Sequence, residues 1–137
     1  MNKLFIFGIT ALLVVTTTAC SFNDDEYDDD DVACTTEVVP SVVIAIIDAP
    51  GFPLPGATVT YSVDDENELE AECIDPMDAL SGECTRFVAG WEVTGDFIIV
   101  AEKESFQPAE ASVIVELDEV GCHVVTQEIE LTLVPES

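Results

Sequence analysis

The sequence predicts an all-β sandwich. Apolar and polar residues alternate at period two in several segments, clusters of Gly and Pro separate those segments, and no stretch beyond the first twenty residues has helical periodicity. At 137 residues the chain has room for one domain with tails.

The chain opens with Met1-Asn2-Lys3, a mainly apolar run from Leu4 to Val15, and small residues from Thr16 to Ala19 ahead of Cys20. A positive start, an apolar stretch and small residues make up a signal peptide, predicted over 1–19. The apolar run falls well short of the ~20 residues a membrane-spanning helix needs. Small residues leading to Ala19-Cys20 resemble the lipobox of bacterial lipoproteins, with Thr17 where that family usually carries Leu. The resemblance implies lipid on the Cys20 thiol, cleavage before it, and a chain held in the cell envelope by acyl chains. Ser21, rather than Asp, after the cysteine then favours the outer membrane.

Residues 20–31 are predicted to be an acidic disordered linker. Seven of the eight positions from Asp24 to Asp31 are carboxylates, and such a block buries no apolar area to offset its chain entropy. It lacks the Gly and the spaced terminal Glu of a calcium loop.

Residues 32–137 are predicted to fold as one sandwich of about seven strands. Val42 to Ile47 is a continuous apolar run, expected of a strand buried on both faces. Ala57, Val59, Tyr61 and Val63 alternate with Thr58, Thr60 and Ser62. Phe97 to Ala101 is a second continuous run. Ala111, Val113, Val115 and Leu117 alternate with Ser112 and Glu116, and Ile129, Leu131 and Leu133 with Glu128, Glu130 and Thr132. Val, Ile, Thr and Phe dominate these segments, as a pleated surface requires. Turns are expected at Asp48-Ala49-Pro50-Gly51, Pro53-Leu54-Pro55-Gly56, Ser81-Gly82, Ala89-Gly90 and Gly121. A short helix fits only between Ile74 and Leu80.

With strands and turns placed, the stretch from Asp48 through Pro50-Gly51 to Val59 resembles the signature of carboxypeptidase-regulatory-like domains. Gly90-Trp91-Glu92-Val93, Phe97 to Ala101, and Ser105-Phe106-Gln107-Pro108 are similar to later elements of that family. The resemblance implies a transthyretin-like, immunoglobulin-like sandwich acting as a non-catalytic binding or structural module. Some relatives close a Lys to Asn isopeptide bond from the first strand, but no Lys lies between Val38 and Asp48.

Five cysteines are an odd number for an exported chain, and assigning Cys20 to lipid leaves four. Three pairings are open. Cys73 and Cys84 flank a ten-residue insertion that a local bridge would close, which leaves Cys34 to join Cys122. A four-thiolate zinc site is disfavoured, because the cysteines contain no Cys-x-x-Cys pair.

The remaining composition narrows the function. With 29 Asp and Glu against three Lys and Arg, the chain repels nucleic acid and anionic headgroups. One His, and only Arg86 and Lys103 as cations beyond the leader, leave few parts for catalysis. No catalytic residue, metal ligand or cofactor is predicted. His123 has no second ligand at metal spacing and is expected at the surface or a strand edge. The serines lack a Gly-x-Ser-x-Gly context. Asp64-Asp65-Glu66-Asn67-Glu68 is the best place for calcium in the domain, although a solvated loop suits its spacing better. Trp91 is expected as a core anchor rather than a sugar platform. The reading is a non-catalytic envelope lipoprotein with a protein or glycan partner; the alternative is a carbohydrate-binding surface module.

Overall fold

A computed structural model describes residues 33–74 and 76–137; the predicted leader, Cys20 and the acidic linker lie outside them. The nine strands and one short helix run β1 (Pro40–Asp48), β2 (Thr58–Val63), β3 (Leu69–Glu70), β4 (Glu72–Cys73), α1 (Pro76–Ser81), β5 (Arg86–Trp91), β6 (Gly95–Glu102), β7 (Phe106–Gln107), β8 (Ala109–Val115) and β9 (Gln127–Pro135). They form two sheets, a five-stranded one ordered β4-β5-β1-β9-β7 and a four-stranded one ordered β3-β2-β6-β8. The all-β expectation holds. Three of the nine strands are two residues long, which is why the count exceeds the seven read from longer patterns.

β1 lies at the centre of the larger sheet, antiparallel to β5 and parallel to β9, with Ile44 opposite Phe87 on one side and Ile129 on the other. Val42, Ile44 and Ile46 are fully buried, whereas Val43, Ala45 and Ile47 on the other face are half-buried. The continuous apolar run therefore does not mark a strand covered on both faces. Pairing on both edges shelters its outward face, and among the described residues no further layer covers it. β6 repeats the pattern in the smaller sheet, burying Phe97, Ile99 and Ala101. Val59 and Val115 flank them in the same sheet, and Leu131 and Leu133 of β9 in the other sheet belong to the same core. Tyr61 stacks on Phe97 with ring centroids 5.8 Å apart.

β8 ends at Val115 rather than continuing through Leu117, which instead bridges to Val124. Residues 116–125 fold back on themselves, with the Val125 amide donating to the Glu116 carbonyl. The short helix falls inside the Cys73 to Cys84 insertion.

Candidate functional site

The most organised group of polar side chains lies where the chain enters the domain. Cys34 is bonded to Cys122, 88 residues later, with Cα atoms 5.2 Å apart. Beside this bridge the Thr35 hydroxyl lies 2.9 Å from His123 Nε2, and His123 Nδ1 lies 2.6 Å from Glu92 Oε1. Glu92 also accepts from the Val39 amide at 2.9 Å and the Val124 amide at 3.2 Å. Its own amide donates back to the Val39 carbonyl. The Thr126 hydroxyl donates to the Pro40 carbonyl at 2.7 Å, so the first residue of β1 is tied as well. The segment 34–40 is thus held by one covalent bond and several hydrogen bonds to two separate parts of the chain, Glu92 and residues 122–126.

Glu92 is the hub. It sits just after β5 with φ +54°, a left-handed conformation that costs a non-glycine residue about 1–3 kcal/mol. The carboxylate contacts hold it there. Hydrogen bonding from His123 is the main cause of a lowered Glu92 pKa, opposed by desolvation and assisted by the two backbone amides and the histidine's charge. The ionised Glu92 carboxylate faces Nδ1 of the imidazole, and Nε2 faces the Thr35 hydroxyl.

Hydroxyl, imidazole and carboxylate in this order form the relay that activates nucleophiles. A reacting carbonyl would further need N–H groups aimed at its oxygen. Here the neighbouring Val39 and Val124 amides point at the carboxylate. What the cluster does with the groups it has is fix the entry segment.

Other residues singled out from sequence have separate places. Cys73 is bonded to Cys84 with Cα atoms 6.0 Å apart, closing the helical insertion. Asp64 and Asp65 occupy the turn after β2 with φ +51° and +60°. Asp64 Oδ1 accepts from the Asp96 amide at 2.9 Å, so this carboxylate serves as a turn clamp. Gly95 is required beside it, because an added Cβ would sit 2.7 Å from Asp64 Oδ2. Among the described residues no group of three or more His, Cys, Asp and Glu could hold a metal ion. Ser41 is completely buried, with its hydroxyl accepting from the Val93 amide.

Trp91 is not a core anchor. It is 45% exposed at the end of β5, and its indole N–H donates to Glu72 Oε2 at 2.7 Å. The interior beside Gly90 is already filled by Phe97, whose ring would lie 3.3 Å from a Cβ at that glycine. Neither Thr35 nor Glu92 was flagged by sequence. They stand 88 and 31 residues from His123, and only the fold brings them together.

No protein-family model and no curated protein matches the chain. Among solved structures it is similar to the crystal structure of 3-chlorocatechol 1,2-dioxygenase from Rhodococcus opacus 1CP, with 10% identity and a TM-score of 0.40. The match covers 76% of this chain and 62% of that one, so the chain spans less than two thirds of the enzyme's length. A likeness at this level transfers no activity. The two disulfides mark an extracytoplasmic protein, since such bridges persist in oxidising compartments.

Proposed function

We infer that this is a non-catalytic cell-envelope lipoprotein, anchored through Cys20 and carrying its sandwich on an acidic tether as a binding or structural module. One observation carries the reading: the tether would join the domain at the point where the Cys34–Cys122 bridge and the Glu92–His123 pair secure the chain. Force on an anchored tether would then pass through Cys34 into the body of the fold instead of peeling β1 from its sheet. Anchoring itself rests on the lipobox-like Ala19-Cys20. The finer assignment to a carboxypeptidase-regulatory-like domain rests on its turn motifs. Asp48 to Val59 spans the end of β1 and the start of β2, and Phe106-Gln107-Pro108 spans β7 and the step into β8.

The carbohydrate-binding alternative has one observation in its favour, the exposed indole of Trp91. Phe52 is also exposed, but it follows the far end of β1, about 26 Å of strand away from the Trp91 end. Two aromatics so placed do not make one sugar-binding strip.

Fractionation tests the anchoring. The protein should stay with membranes through a salt wash and leave with detergent, and its amino-terminal peptide should carry acyl mass on Cys20. Release by salt alone would contradict it, because a chain this acidic has no electrostatic hold on a membrane.

A further inference from the structure

Exposed apolar side chains are concentrated at one end of the domain. Of the twelve large hydrophobic residues exposed among the described ones, six lie on segments that converge on Glu92: Val38, Trp91, Val93, Leu117, Val120 and Val125. The backbone brings these segments together. Glu92 and Val39 are bonded both ways, the Val93 amide donates to the Ser41 hydroxyl, and the Glu92 carboxylate accepts from the Val124 amide. Leu117 bridges to Val124, and the Val125 amide donates to the Glu116 carbonyl. The other six are divided among β3, β8, β9, the turn after β1 and the Cys73–Cys84 insertion. An apolar collar thus surrounds the point where the chain enters, and exposed apolar residues gathered in this way mark an interaction surface.

The charge around the collar has one sign. Glu37, Glu116 and Glu119 are exposed on the same segments, and His123 is already held between Thr35 and Glu92. Arg86 begins β5, five residues or about 17 Å of strand before Trp91, and Lys103 follows the far end of β6. The chain leading into Ala33 adds seven carboxylates from Asp24 to Asp31, and two residues of chain keep Asp31 within about 7 Å of Ala33.

We propose that this collar docks a basic amphipathic segment of a partner protein, whose apolar side chains cover Trp91, Val93 and Val120 while its Lys or Arg face the carboxylates. Burial of apolar area supplies affinity, and the opposite charge speeds encounter and selects the partner. A second copy would set acid against acid, and anionic headgroups would meet the same carboxylates. The inference rests on the domain being a binding module and gives its partner a chemistry.

Trp91 is the chain's one tryptophan, so its emission reports on the collar directly. The probe is a short acetylated and amidated Lys-Leu peptide with amphipathic helical spacing, added to the purified full chain in dodecyl maltoside. A saturable blue shift is expected, weakened by NaCl and absent with the matching Glu-Leu peptide. Val120→Ser with Val125→Ser should weaken binding about tenfold, whereas Phe52→Ser with Ile114→Ser, a comparable apolar loss away from the collar, should leave it unchanged. Melting curves confirm that both variants are folded. No shift in wild type would overturn the proposal, as would an equal response to the Glu-Leu peptide or equal weakening in the two variants, the mark of diffuse attraction. Quenching of Trp91 by brominated phosphatidylcholine, with wild type reconstituted in vesicles, would overturn it in favour of a bilayer contact. The peptide arm needs no anchor, so it can fail while fractionation still finds the chain with the membranes.

Discussion

The two disulfides brace regions of different kinds. Cys73–Cys84 spans 11 residues and closes a local insertion, whereas Cys34–Cys122 spans 88 and ties the entry segment to the far end of the chain. The first region adds local hydrogen bonds to its bridge, such as the Glu83 amide to the Asp78 carbonyl. Its six-residue helix is too short to be stable alone, and Leu80 is 86% exposed. The second adds a polar lock in which Glu92, His123 and Thr35 hold the same segment without covalent help. A bridge at the insertion limits a loop, while the bridge at the entry is one of several fasteners that decide where the domain begins.

Opening each bridge separately tests the contrast. In the chain-entropy picture, replacing Cys34 and Cys122 by Ser should cost about 4.6 kcal/mol and replacing Cys73 and Cys84 about 2.8 kcal/mol. Denaturant titration of the two variants should rank them in that order. Equal losses would mean that the polar lock already restrains the entry segment when its bridge is open. Hydrogen exchange should place the damage, with Val39 and Val124 losing protection in the first variant and residues 74–83 in the second.

Salt should act on both regions together. Residues 32–137 carry 22 carboxylates against Arg86 and Lys103, and among the described residues the one ion pair is His123–Glu92. Neither cation is within ion-pair distance of a carboxylate among the described residues; Lys103 donates to the Pro55 carbonyl and lies 6.0 Å from the Phe106 ring centre. Raising NaCl from ~0.01 M to 1 M shortens the screening length from about 30 Å to about 3 Å. The melting temperature should rise by several degrees, on the scale of about 4–8 °C per kcal/mol for a domain this size. Calcium at matched ionic strength should add little, since Asp64 is already engaged by the Asp96 amide.

The smallest expected effect belongs to the lock alone. Glu92 has a pKa below its ordinary value, so the folded state favours its ionised form. The stability this contributes is fully present above the unfolded value of about 4.3, and it fades as pH falls through the lower folded value. Glu92→Gln should lose stability at neutral pH and show a shallower acid limb than wild type in melts between pH 5 and 2. Parallel limbs would mean that the Glu92–His123 contact does not form in solution.

The period-two rows of β2, β8 and β9 were legible because one face of each strand is buried and the other wet. The two-residue strands β3, β4 and β7 were not, since a pair of residues carries no periodicity. Loop closure pointed to Cys73–Cys84, because those cysteines flank a single insertion. The entry lock was hidden by distance along the chain. Trp91 differs for a related reason: hydrophobicity marks a residue as able to be buried, but only the fold shows that the end of β5 leaves its indole half-exposed and donating to Glu72.

In the proposed arrangement an anchored tether enters a domain whose first residues are stapled to the body of the fold. Mass mapping of the unreduced protein, purified from the membrane fraction, tests it most directly. An acylated amino-terminal peptide at Cys20 is expected, together with peptides linking Cys34 to Cys122 and Cys73 to Cys84. A peptide joining Cys34 to Cys73, or free thiols at Cys34 and Cys122 in folded protein, would contradict it.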